Sequence, residues 1–311
     1  MEEDPYTLKD LIGKGAYGQV YLGIDNSNGE NVALKRIAVQ DQTIIEREVA
    51  ILKRLADPTC QPNILCLRDF FYDEDLDHAY LVTNYVPGLP LDETIQQIKR
   101  MYYRVLPDLY WDFVASLLKS ILKGLAFIHD RGIIHGDIKP DNIIVNRNLR
   151  LLSDTMTTNI HDSYTPVIID FGLSCFATEG YCLGIRGTID FMSPELFSET
   201  YGGHISEKAE IFSESYGGRT YEKSDIWALG ISMLESITEE PVWPIDYTRE
   251  DIQIALEKGN FNFHNEINTG NETIDDFLIN ALNPDPGRRP SAVELYNRLI
   301  VPKEIQYVET R

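Results

Sequence analysis

His135-Gly136-Asp137-Ile138-Lys139-Pro140-Asp141-Asn142 is the stretch on which the reading of this chain turns. It places an acid, a lysine two residues later and an asparagine five residues later in one loop. Asp137 can accept the proton of an attacking hydroxyl, and Lys139 can neutralise a migrating phosphoryl group as a point charge. Asn142 offers a hard amide oxygen to Mg2+. The combination points to phosphoryl transfer.

The flanking sequence is consistent with that chemistry. Downstream, Ile143-Ile144-Val145 and Val167-Ile168-Ile169 read as paired strands, and Asp170-Phe171-Gly172 follows the second. Upstream, Gly13-Lys14-Gly15-Ala16-Tyr17-Gly18-Gln19-Val20 lies in a strand-turn-strand, with Asn28-Gly29 marking the next hairpin. A strand-turn-strand rejects a Rossmann reading, and the absence of Gly-Lys-Ser/Thr rejects a P-loop. Lys35 sits in a strand among apolar neighbours, where a lysine is costly unless paired. The next segment, from Asp41 as N-cap to Leu55, has apolar residues at helical intervals and carries two candidate partners, Glu46 and Glu48. Trp111 to His129 reads as a longer helix with one apolar stripe, closed by Arg131-Gly132.

In these motifs the chain resembles the eukaryotic protein kinase family, whose catalytic loop reads His-Arg-Asp with Lys and Asn at the same offsets. The resemblance implies an α+β, bilobal protein kinase fold. Residues 1–83 would form an N lobe of antiparallel strands plus one helix, 84–88 a hinge, and 89–311 a mainly helical C lobe. It implies ATP and Mg2+ as cofactors. Ile12, Gly13, Lys14, Gly15, Ala16, Tyr17 and Gly18 would close over the triphosphate, and Val20 and Ala33 would lie against the adenine. Glu48, rather than Glu46, would grip Lys35, which contacts the α and β phosphates. Thr83 falls at the gatekeeper position, and backbone groups of Asn84 and Val86 would bond the adenine. Asp137, Lys139 and Thr188 would form the catalytic group, with Asn142 and Asp170 as the metal ligands. Gly187-Thr188 and Ser193-Pro194-Glu195 resemble the Ser/Thr form of the segment, implying a protein substrate with a Ser or Thr acceptor. Glu195 would pair with Arg289, and Asp225 would brace the catalytic loop.

Two departures agree with each other. Gly136 replaces the arginine that commonly holds a phosphorylated activation loop, and Gly184 stands where the main loop phosphosite often lies. Together they predict activity without loop phosphorylation. Two insertions are also expected. One is the polar stretch 148–166; the other, 197–211, is the first copy of a block that 212–226 repeats, and it reads either as an exposed docking loop near the peptide-binding face or as a tolerated duplication with no role.

The 311 residues suffice for a large core, and no apolar run is long enough to span a membrane. With no signal or transit sequence read at the start, an intracellular, cytoplasmic location is expected. A net charge of −21 disfavours nucleic acid and membrane surfaces as partners and favours basic protein substrates. Asp141 points the same way, whereas Pro90, where an acidic residue often reads a basic neighbour of the acceptor, argues against strong selection. Cys60, Cys66, Cys175 and Cys182 have no metal-site spacing and read as reduced thiols. The rival readings are a pseudokinase acting as a nucleotide-binding module, favoured only by Gly136, and a kinase of small molecules.

Overall fold

The computed structural model describes residues 4–15, 18–39, 42–73, 77–147, 163–177, 180–197, 219–261, 263 and 267–300. The chain opens with β1 (Tyr6–Gly15), β2 (Gly18–Asp25) and β3 (Asn31–Ala38), then α1 (Gln42–Ala56), β4 (Leu67–Asp73) and β5 (His78–Asn84). These strands form an antiparallel sheet in the order β1-β2-β3-β5-β4. Strand periodicity of two divides β3 between two environments. Val32 and Leu34 join Tyr80 and Val82 on one face, covered by Tyr6 and Phe71. Ala33 and Lys35 therefore share the other face with Ile37, which belongs to the core that includes α1.

Tyr85, Val86 and Pro87 join this sheet to β6 (Gly88–Pro90) and a mainly helical second lobe. There α2 (Leu91–Tyr102) and α3 (Pro107–Asp130) are followed by the two-residue β7 (Ile133–Ile134), β8 (Ile143–Arg147) and β9 (Tyr164–Ile168). Two further short strands, β10 (Cys175–Phe176) and β11 (Tyr181–Leu183), lead to β12 (Arg219–Tyr221) and α4 (Glu222–Thr238). The chain continues through α5 (Arg249–Lys258), α6 (Glu272–Ala281) and α7 (Ala292–Ile300). Pro107 starts α3 four residues before Trp111, in the helical position where a missing N–H costs nothing. Helix α4 is buried on nearly every side, as a helix apolar all round must be. Thr248, Asn271 and Ser291 accept N-terminal amide hydrogens of α5, α6 and α7. Among the described residues, no helix is long and apolar enough to cross a membrane.

Two expectations need correction. Strand β9 begins at Tyr164, inside the expected insertion, because Tyr164 packs edge-on against Phe113 and under the Arg147 guanidinium. Pro166 is tolerated because β9 lies at the edge of the β6-β8-β9 sheet. The remainder of that insertion, 148–162, the positions 198–211 of the other and the N-cap Asp41 lie outside the described residues. The cysteines form disulfides, Cys60–Cys66 and Cys175–Cys182, with Cα atoms 5.7 and 6.2 Å apart. Both separations fall in the range a bridge needs; linear spacing alone did not reveal that these chain segments double back.

Candidate active site

The sheet register brings the predicted nucleotide-facing residues together. Gly13 pairs with Val20, Val20 with Lys35, and Ala33 with Thr83. Ile12, Lys14 and Gly15 lie on the exposed length of β1, Gly18 opens β2, and Ala16 and Tyr17 are outside the described residues. Asn84 ends β5, with Val86 two residues on in the connection between lobes. The Asn84 main-chain N–H donates to Cys66 O and its side-chain oxygen accepts from Cys66 N–H, fixing the strand end.

The Lys35 ammonium donates to both oxygens of Glu48, at 2.8 and 3.0 Å, and to Asp170 Oδ1 at 2.9 Å. Glu48 reaches it because it lies on the buried stripe of α1 with Ile45, Val49 and Leu52, whereas Glu46 accepts from Gln42 on the exposed side. The three charges perturb one another. Burial pulls the Lys35 ammonium down, but the Glu48 and Asp170 carboxylates outweigh it and hold its pKa above the ordinary lysine value. For Glu48, burial prevails over the nearby lysine and raises the carboxyl pKa. Asp170 is lowered, because Lys35 and the Gly172 N–H outweigh burial. Asp170 also adopts a φ of 59°, a left-handed conformation uncommon for aspartate.

The loop at 135–142 forms a second cluster. Asp137 Oδ1 accepts from both the Thr188 N–H (2.9 Å) and the Thr188 hydroxyl (2.8 Å). Lys139 donates to Thr188 Oγ1 at 2.8 Å and lies 3.0 Å from Asp137 Oδ2. Asn142 Nδ2 donates to Asp137 O and Oδ2, an arrangement that turns its amide oxygen away from Asp137. The two clusters are tied through the residue before Asp170. Ile169 N–H donates to Asn142 O, and the His135 ring is 3.0 Å from Ile169 O and edge-on to Phe171. Beneath the loop, Asp225 at the start of α4 accepts from His135 N–H and Gly136 N–H, each at 2.9 Å.

Three supporting side chains were not singled out from the sequence. His129 Nε2 lies 2.9 Å from Asp225 Oδ2; a polar residue in the buried last turn of α3 was the available signal. Ser174 donates to His135 O, and Arg47, beside Glu48, donates to Gly172 O. Among the described residues, no three His, Cys, Asp or Glu side chains form a metal cage. Two oxygen donors completed by phosphate oxygens and water form the kind of site that suits Mg2+, and Asn142 and Asp170 fit that pattern.

The family described as protein kinase domain matches this chain over residues 6–300. The chain is 39% identical to cyclin-dependent kinase 12 of Caenorhabditis elegans over 155 residues, covering 45% of this chain and 20% of that protein. It is 27% identical to mitogen-activated protein kinase kinase kinase 3 of Arabidopsis thaliana over 304 residues, covering 92% of this chain and 39% of that protein. With mitogen-activated protein kinase kinase 2 of the same plant, identity is 28% over 315 residues, covering 94% and 72%. The chain thus spans well under half the length of the first two of these relatives.

Proposed function

The chain belongs to the protein kinase family, and from that premise we propose that it transfers the γ-phosphoryl group of ATP to Ser or Thr hydroxyls of protein substrates. The observation that carries this reading is the Asp137 carboxylate, held by Thr188, Lys139 and Asn142 in a loop bonded to the residue preceding Asp170. Kinases of this family use ATP and Mg2+ in general. Here Asn142 and Asp170 would hold the ion, which supplies charge neutralisation at the phosphates.

The residues divide the work. Asp137 orients the acceptor hydroxyl and receives its proton as the new O–P bond forms. The bond from Pγ to the β-bridging oxygen breaks, and ADP departs. Lys139 offsets charge on the migrating group, and Lys35, steadied by Glu48, binds the α and β phosphates. Val20, Ala33 and Thr83 line the adenine side, while Asn84 and Val86 offer main-chain groups to it. Gly13, Lys14, Gly15 and Gly18, with Ile12, cover the triphosphate.

Gly136 and Gly184 favour activity without loop phosphorylation, and the net charge of −21 favours basic protein substrates. We place the protein inside the cell, in the cytoplasm, where ATP is abundant; the disulfides pull against that placement, since a reducing compartment opens such bridges.

Transfer from ATP with Mg2+ to a basic protein substrate should survive phosphatase treatment and fall roughly a hundredfold or more in Asp137→Ala. Wild-type transfer no higher than that of the variant, with ATP still bound, would sink the enzyme reading in favour of a nucleotide-binding module.

A further inference from the structure

Gly136 leaves open the question of what holds the segment between Asp170 and Thr188 in place of the family's arginine. Its φ is +80°, and a Cβ added there would lie 3.1 Å from Leu173 O and 3.4 Å from the Arg186 Cβ. The Arg186 stem therefore runs against the face where a side chain at 136 would begin. From there the buried guanidinium donates to Leu173 O at 3.4 Å and Leu183 O at 3.2 Å, carbonyls near the two ends of the segment. The next residue, Gly187, has φ +111° and packs against Gly136, where a Cβ would come within 2.6 Å of Gly136 O. Thr188 follows, with its two hydrogen bonds to Asp137.

Neighbouring contacts keep the same strip fixed without a phosphate. β11 pairs with β12, and the Thr220 hydroxyl donates to Gly184 O at 2.9 Å. The Arg219 guanidinium lies 4.2 Å over the Tyr181 ring. β10 pairs with β7 immediately before the catalytic loop.

We infer that Arg186 is a positioning residue: it bridges the two ends of this segment through main-chain carbonyls and so holds Thr188 against Asp137. The inference rests on the phosphoryl-transfer reading, which concerns the same site. It deepens that reading by assigning to an internal arginine the work otherwise done by an arginine–phosphate pair. A guanidinium suits this, because its planar fork can serve two carbonyls in fixed directions.

The test uses the full chain as Arg186→Met, which keeps the stem and removes the fork, and as Arg186→Lys, whose single ammonium is a point donor. For Arg186→Met, kcat per nucleotide-binding site should fall about tenfold or more, while KM for ATP stays within about twofold. Amide hydrogen exchange across 180–188 should speed about tenfold, with α3 and α4 unchanged. Arg186→Lys should recover part of both. Wild-type exchange in Arg186→Met, or an unchanged kcat per binding site accompanied only by a lower melting temperature, overturns the assignment. If Arg186→Met does not fold, the same two readouts on Arg186→Lys decide, and wild-type values there overturn it. Gly136→Arg, which restores the family residue, should lose activity through its positive φ and crowding against Leu173 O and the Arg186 stem; a gain would overturn the account as well. Absence of transfer by the wild type would defeat the phosphoryl-transfer reading, yet the exchange measurement would still decide whether Arg186 holds the segment.

Discussion

Two buried glutamates, each facing a cation, separate the working part of this molecule from its scaffold. Glu195 and Arg289 are both fully buried, with guanidinium bonds of 2.7 and 3.0 Å. Arg289 also donates to Lys223 O and Asn283 O, so its fork is saturated from every side. Glu48 is as deeply buried, but its lysine is 13% exposed and is shared with Asp170, whose side chain is 42% exposed. The first pair is balanced and closed. The second holds two carboxylates against one ammonium and opens toward solvent, leaving a residual negative charge for a cation to meet. Burial alone does not distinguish the two; charge balance and an open side do.

The sharpest break of this comparison is Glu195→Ala. It strands Arg289 in the interior and should cost about 3–5 kcal/mol of stability, read by urea unfolding. Replacing both partners with apolar residues of similar volume should return most of that loss, because the pair is scaffold. Lys35→Met should behave oppositely: transfer falls roughly a hundredfold or more, while stability drops by about 1 kcal/mol or less. Glu48 can take up a proton once its lysine is gone, since burial already raises its pKa. A larger stability loss in Lys35→Met than in Glu195→Ala would overturn the division.

The smallest effect is one of pH. Asp170 is lowered from an ordinary value of 3.8, so its contribution to stability is fully present above that value and is lost as pH falls through the folded one. Asp170→Asn should therefore flatten the acid limb of the stability profile below about pH 4. The change should be slight, because water screens a carboxylate this exposed. Glu48 works with the reverse sign: its raised value means stability declines as pH climbs above 4.5 and this carboxyl ionises. An Asp170→Asn profile as steep as wild type below pH 4 would show that the lysine contact adds nothing to folding.

The legible parts of the sequence were those in which side-chain chemistry selects the residue type. Asp137, Lys139, Asn142 and Asp170 stand out because the proposed hydroxyl, phosphate and metal would each restrict the choice, and the fold gathers them into two linked clusters. Glu48 was separable from Glu46 only through the resemblance, and the buried phase of α1 then accounts for the choice. Arg186, Arg47 and Ser174 stayed hidden because each donates to a main-chain carbonyl, and a carbonyl leaves no mark on its own residue's identity. His129 was hidden differently, since its partner Asp225 lies 96 positions away. The disulfides escaped notice because separations of six and seven residues resemble no ligand set and become telling only when the turns are known. The start of β9 was misjudged because Thr and Pro suggest a loop until Tyr164 is seen packed on Phe113.

The Ser224 hydroxyl donates to Glu195 Oε1 at 3.2 Å, while Arg289 grips the same carboxylate. Leu196 and Phe197 stay in the core on one side of the interval and β12 is paired from Arg219 on the other, so the start of α4 is held at both ends independently of how many residues lie between. Lengthening a chain between two fixed points costs only about 0.6 kcal/mol per doubling. A tandem copy of fifteen residues fits there without moving the residues of the candidate site, and the same interval is where a protein engineer would splice a reporter or sensor into this chain.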